Sequence, residues 1–255
     1  MNKNFIALKG IVVYEIKRII RIWRQTLIPP LMNMSLYFLI FGHFIGSKVP
    51  AMAGHSYMSF LIPGLIMMSV IMESYNASVF PFFMSKFHRS IEEILIAPVP
   101  NVVIITGFAL GGIIRGLFIG LLVTLVASLF NPIAPAHPVV LIFAALTASC
   151  FFSLLGFSNA LFAKNFEDIS IVPTFILTPL VYLGGVFYSI EQLSPFWQKV
   201  SMFNPIVYII NIFRYGFLDT GSSYLFSSLF VLVLLIILTF SLNIYWLERG
   251  TRLKT

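Results

Sequence analysis

Charge is what this sequence of 255 residues lacks most. Only 10% of it is Asp, Glu, Lys or Arg, against about 25% in soluble domains. Hydrophobic residues reach 59% and aromatics 16%, and the mean hydropathy is +0.97. A soluble globular domain is excluded. Cysteine is nearly missing as well: Cys150 stands alone, which excludes an internal disulfide and any multi-cysteine metal site. The four histidines, His43, His55, His88 and His137, show no ligand spacing, and the acid pairs Glu92-Glu93 and Glu167-Asp168 lack a metal-binding repeat. No metal site is expected. The patterns G-x-x-x-x-G-K-[ST], H-E-x-x-H and G-x-S-x-G do not occur, so no catalytic residue is expected either. Membrane spans would use roughly half the chain at ~20 residues each, which leaves no room for a nucleotide-hydrolysing domain. Any ATP chemistry must come from another chain.

What is present is a series of long apolar runs. They fall at Leu27 to Ile45, Tyr57 to Met84, Val102 to Phe130, Val139 to Ala163, Ile169 to Tyr188 and Tyr224 to Leu247, each long enough to cross a bilayer core of about 30 Å. The stretch from Ser189 to Ser223 is apolar only in short pieces, broken by Pro195 and Pro205 and carrying Glu191, Lys199, Arg214 and Asp219. Such pieces read as re-entrant or interfacial helices. A seventh span over Pro205 to Leu218 is the alternative.

The placement of cations decides between these counts. The net charge of +7 does not point to nucleic acid once the cations are located. With six spans, one side holds Lys3, Lys9, Lys17, Arg18, Arg21, Arg24, Lys86, Arg89, Lys164, Arg249, Arg252 and Lys254, and the other only Lys48, Lys199 and Arg214. The positive-inside rule then puts both termini in the cytoplasm. A seventh span would move the basic tail outside. Ala51-Met52-Ala53 carries a signal-peptidase signature, but the long basic segment and long apolar run before it argue against cleavage.

Two cytoplasmic segments stand out. On a helix, Phe5, Leu8, Val12, Ile16, Ile19 and Trp23 share one face, with Lys17, Arg18, Arg21 and Arg24 mostly opposite. This reads as an amphipathic helix in the membrane interface, either an anchor or a lever between a cytoplasmic partner and the first span. Between the second and third runs, Ser90 and Glu93 form a capping-box signature, and Pro98 and Pro100 stop the helix. Its apolar Ile91, Ile94, Leu95 and Ile96 call for a covering partner or membrane face.

Two charges lie inside the runs, where ionisable groups are functional candidates. Counted at about 1.5 Å per residue, Glu73 lies ~24 Å from the outer edge and Arg115 ~20 Å from the cytoplasmic edge. A direct ion pair is not expected at such different depths. Glu73 is expected near the cytoplasmic interface and Arg115 facing a cavity. Helix breakers cluster at Pro63-Gly64 in the second run and at Pro173, Pro179 and Gly184-Gly185 in the fifth, so bent helices beside a substrate path are expected there.

Six spans behind an interfacial helix, the Arg89-Ser-Ile-Glu-Glu-Ile-Leu-Ile-Ala-Pro98 loop, and Asn204-Pro-Ile-Val-Tyr208 leading to Phe213-Arg214-Tyr215 resemble the type 2 ATP-binding cassette (ABC) export permeases over essentially the whole chain. The resemblance implies an all-α integral membrane fold in one domain over residues 1–255. Residues 1–25 would form a connecting helix, 27–188 the first five spans, 189–223 outer re-entrant helices, 224–247 the sixth span and 248–255 a cytoplasmic tail. It further implies that Ser90, Ile91, Glu92, Glu93, Ile94 and Leu95 couple to a separate ATPase subunit. ATP and magnesium would sit on that partner, and this chain would need no cofactor. Family members work as dimers of permease halves in the bacterial inner membrane, exporting lipids, polysaccharides or drugs. The candidate substrate path is an aromatic wall of Phe41, Phe44, Phe60, Tyr182, Phe187 and Tyr188 with Arg115 or Arg214 meeting an anionic headgroup. An ion-coupled secondary transporter is the runner-up, and a non-transporting membrane subunit a third reading.

Overall fold

The computed structural model describes residues 3–46, 48–52, 54–96, 98–132, 134–220 and 225–250, with Leu95 described by its backbone alone. Among these residues the regular structure is helical throughout. Helix α1 (Lys3–Arg21) leads through Ile22 into α2 (Trp23–Tyr37), which continues as a π-helical segment over Phe38–Ile45. The long α3 (Tyr57–Phe87) is followed by the short α4 (Ser90–Ile96), then α5 (Asn101–Phe130) and α6 (Pro138–Phe162). Next come α7 (Phe166–Ile171), a π-helical segment (Val172–Leu177) and α8 (Thr178–Tyr182), after which lie α9 (Pro195–Ser201), α10 (Pro205–Leu218) and α11 (Leu225–Glu248).

Local chemistry sets several of these boundaries. The Ser56 hydroxyl accepts the Ser59 amide at 3.3 Å and opens α3, while the Asn165 side chain accepts the Asp168 amide at 2.8 Å and opens α7. Pro138 and Pro205 stand at the starts of α6 and α10, where a missing amide hydrogen has no consequence. The expected signal at α4 works otherwise. The Ser90 hydroxyl donates back to the Ser85 carbonyl at 3.2 Å instead of capping the Glu93 amide, because Arg89 adopts a left-handed backbone (φ 59°) and Ser90 is already helical.

Helix α3 is the centre of the bundle, buried along most of its length, and its most extensive neighbours are α5 and α6. Close approach is possible because glycines face its backbone. A Cβ on Gly112 of α5 would lie 2.7 Å from the Ser74 carbonyl oxygen, and one on Gly156 of α6 only 2.5 Å from that of Tyr75. Polar side chains then tie the apolar helices together, as expected where lipid offers no hydrophobic drive between helices. The Asn159 amide donates to the Tyr75 hydroxyl at 2.7 Å. Ser158 donates to Asn243 at 2.7 Å, and the Asn243 amide donates to the Leu154 carbonyl at 3.1 Å.

Helix α1 packs on α5. Ile11 seats against Gly107 and Glu15 against Gly111, and Ile19 is buried on the same side. On the face expected to lie in the membrane interface, Phe5 and Trp23 are 56% and 48% exposed and Ile19 is buried. Gly107 and Gly111 leave the space on α5 that Ile11 and Glu15 fill. Glu15 is thereby buried, with Arg18 donating to its Oε2 at 2.7 Å. Burial pushes the Glu15 carboxyl up from its ordinary value, and Arg18 offsets part of that rise.

Among the described residues five helices are long and apolar enough to span a membrane: Trp23–Ile45, Tyr57–Phe87, Asn101–Phe130, Pro138–Phe162 and Leu225–Glu248. The fifth expected run differs. It is helical over Phe166–Tyr182, with a π-helical middle, and stops six residues short of the expected end at Tyr188. Pro173 and Pro179 lack the amide hydrogens that a regular ladder needs, and the Thr178 amide reaches five residues back to the Pro173 carbonyl. Gly185, at φ 82°, then turns the chain. Val186 comes to rest on Gly64 of α3, where a Cβ would meet its carbonyl oxygen at 2.9 Å. The breakers of the two runs thus meet in space, yet α3 itself passes through Pro63-Gly64 as one helix. Ala53 of the cleavage signature and residues 251–255 of the expected tail lie outside the described residues.

Candidate functional site

The two charges inside the spans meet. Arg115 Nη2 donates to Glu73 Oε2 between α5 and α3, contrary to the separation expected from sequence. Glu73 is buried in the bundle. The reason is helix length. α3 has 31 residues, about 46 Å at ~1.5 Å each, so it overshoots a ~30 Å core. A depth counted from its far end cannot be compared with one counted from the near end of α5. Measured from the shared α4 end, Glu73 lies 14 residues before Phe87 and Arg115 lies 14 residues after Asn101.

The pair closes one wall of a cavity of about 280 Å³ between α2, α3 and α5. Gln25, Thr26, Pro29, Pro30, Asn33 and Tyr37 contribute from α2, and Met68, Ser69 and Met72 from α3. Arg115 uses one nitrogen on Glu73, and its buried Nε has no partner among the described residues. None of the α2 residues was expected at a site. Their signal is nonetheless in the sequence: Thr26, Pro30, Asn33 and Tyr37 recur at spacings of four, three and four, one helical face carrying polar groups in an otherwise apolar run.

The aromatic residues divide into two groups. At the end of the bundle away from α4, Tyr37, Phe41, Tyr182 and Phe187 form a cluster, with Tyr37 and Tyr182 hydroxyls 3.0 Å apart and Phe41 and Phe187 ring centres 5.0 Å apart. Tyr57 donates to the Phe187 carbonyl at 3.1 Å and holds the α8 turn against α3. Phe60 lies elsewhere, fully buried beneath Arg214. The guanidinium carbon of Arg214 sits 3.7 Å from the Phe60 ring centre, and its Nη2 donates to the Gly185 carbonyl at 2.9 Å. With 7% exposure, Arg214 clamps α10 to the α8 turn and to the start of α3. It does not share the Arg115 cavity.

At the opposite end, α4 projects between α3 and α5. Ile91 is buried and Ile94 half-buried, whereas Ser90, Glu92 and Glu93 are exposed and Ile96 is 84% exposed. Lys86, two residues before His88 and counted among the cytoplasmic cations from sequence, is buried. Its buried ammonium donates to the carbonyls of Leu161 and Ala163 at 2.9 and 2.7 Å, at the C-terminus of α6. A cation there complements the helix dipole and satisfies carbonyls left free by the helix end.

Among the described residues the chain is a helical membrane domain with long apolar helices and a short helix between the second and third of them. The family model described as ABC-2 type transporter matches residues 7–218, and the chain belongs to that family. It is 49% identical over 255 residues, the full length of both chains, to the inner membrane transport permease YadH of Escherichia coli strain K12. It is also 26% identical over 254 residues to nodulation protein J of Neorhizobium galegae, covering 97% of this chain and 91% of that one.

Proposed function

We propose that this chain is the permease half of an ATP-driven exporter, assembled as a homodimer with separate ATPase subunits in a bacterial inner membrane. In this reading six spans cross the membrane, the fifth being the interrupted Phe166–Tyr182 helix, whose 17 residues reach about 25 Å at 1.5 Å each. Both termini are cytoplasmic, and α9 and α10 form re-entrant outer helices. The substrate is an amphiphile that passes the aromatic cluster of Phe41, Tyr182 and Phe187, with Arg214 and Phe60 bracing the wall behind it. The full-length identity with a protein named as an inner membrane transport permease supports the location.

The observation that carries the reading is α4. A seven-residue helix anchored by Ile91, with two carboxylates outward and an isoleucine almost wholly in solvent, is a surface made for a partner. It follows directly on a helix end where Lys86 ties α3 to α6, so a push on α4 is passed into the bundle core. Replacing Glu92 and Glu93 by lysine is expected to abolish ATPase copurification and transport-linked hydrolysis while the permease still inserts. Unchanged copurification and hydrolysis would refute α4 as the docking element. A periplasm-active reporter fused after Thr255 is expected to stay silent, and activity there would refute the six-span count.

A further inference from the structure

The cavity between α2, α3 and α5 holds donors and acceptors of opposite full charge inside a membrane domain. On one side is Arg115, whose buried Nε has no partner among the described residues. On the other is Glu73, which receives a single described donor, Arg115 itself. The backbone of α2 adds a third element. Pro29 and Pro30 have no amide hydrogen, so the carbonyls of Gln25 and Thr26, four residues before them, lose their helical partners. All four residues line the cavity, and Asn33 lies one turn further along the same helix.

This set restricts the ligand. A lone anion on Arg115 would leave an extra negative charge beside Glu73 at low dielectric, and a lone cation on Glu73 would leave an extra positive one, each strongly disfavoured. A zwitterion keeps the cavity neutral. Its phosphate would take the free guanidinium edge of Arg115, and its cation would take Glu73 with the Gln25 and Thr26 carbonyls. Three acceptors around one cation suit a primary ammonium, which carries three hydrogen-bond donors, and not a quaternary one, which carries none. Gln25 and Thr26 lie within the first turn of α2 after Trp23, so the cavity begins at the span's entry, where a headgroup resides.

The geometry points to a binding site for the headgroup of an amine-bearing zwitterionic phospholipid, of the phosphoethanolamine type, in the α2–α3–α5 cavity. The site requires only that the chain be embedded in a membrane and not that α4 couple to an ATPase, so its failure and that of the proposed function are separable.

The test is competitive lipid retention. The purified full-length chain in detergent is equilibrated with an equimolar mixture of phosphatidylethanolamine, phosphatidylcholine and phosphatidylglycerol of matched acyl chains, and bound lipid is read by native mass spectrometry. Phosphatidylethanolamine is expected to be retained on the order of fivefold or more over the other two, the discrimination available from charge-assisted hydrogen bonds. The Pro29→Ala/Pro30→Ala variant, which restores two amides and should fold at least as well, is expected to lose the preference over phosphatidylcholine. Glu73→Gln/Arg115→Gln is expected to lose it against both lipids; should that variant fail to fold, the proline variant decides. Excess soluble glycerophosphoethanolamine is expected to leave the lipid in place, and displacement by it would overturn the lipid as the source. Equal retention of the three lipids, a preference for phosphatidylglycerol, or a preference over phosphatidylcholine that survives the proline variant would overturn the site itself.

Discussion

The Glu73–Arg115 pair offers the sharpest test of the physical reasoning. Both side chains are largely withdrawn from solvent, 11% and 13% exposed, within helices that lipid surrounds. Breaking a buried pair from one side strands a charge, at a cost of about 3–5 kcal/mol. The two single variants should not be equivalent. In Glu73→Gln the guanidinium keeps its charge, because arginine does not deprotonate in proteins, so a loss of about 3–5 kcal/mol is expected. In Arg115→Gln the stranded carboxyl can take up a proton and become neutral, so the loss is expected nearer ~1–3 kcal/mol, that of an unsatisfied buried polar group. In the double variant two amides can hydrogen-bond each other and no charge remains, with an expected loss of about 1 kcal/mol. The coupling energy is then at least ~2 kcal/mol, well above the ~0.6 kcal/mol average for polar contacts between membrane helices. Reversible unfolding in mixed micelles, followed by far-ultraviolet circular dichroism, measures all four corners of the cycle. Additive losses, or equal losses in the two single variants, would refute the account.

Two further outcomes follow from packing. Glu15 has a carboxyl raised by burial above its unfolded value of 4.5, so the docked state holds its proton more tightly than the undocked state. The stability that this contributes is full below the unfolded value and is lost as pH rises through the raised one. Hydrogen-exchange protection of α1 is therefore expected to fall as pH climbs above 4.5, after correction for intrinsic exchange rates, and Glu15→Gln should remove the slope; a slope unchanged in that variant would count against it. Gly156→Ala would stabilise an exposed helix by about 1 kcal/mol. Here the new Cβ would fall 2.5 Å from the Tyr75 carbonyl oxygen, so a net loss of about 1–3 kcal/mol is expected, and a raised unfolding temperature would contradict the close approach of α3 and α6.

Much of the architecture was readable because membrane embedding leaves a one-dimensional signal. Backbone groups in lipid must be satisfied within the segment, so runs such as Val139 to Ala163 could become little other than helices, and α6 spans Pro138–Phe162. The motifs Ser90 to Pro98 and Asn204 to Tyr208 named the family because their order along the chain survives without coordinates. What failed was reasoning about depth, which kept Glu73 and Arg115 apart, and about where the fifth run ends. The packing of α1 on α5 was not legible, because α5 supplies the groove at Gly107 and Gly111 and a helix cannot report the surface it will meet. The fifth span was drawn too long because Gly185 and Val186 turn back onto Gly64, an end set by tertiary contact and not by hydropathy.

The sequence alone determined that the chain is a helical membrane protein, where most of its long helices lie and which family it joins, since these depend on composition, periodicity and local order. Only the tertiary structure decided that Glu73 meets Arg115, that Lys86 caps α6, that Arg214 lies on Phe60, and that Pro29 and Pro30 border a charged cavity. Each of those pairings joins residues on different helices, or sets a backbone defect beside a distant side chain. Their energy depends on a distance of a few ångströms that sequence spacing along separate helices does not encode.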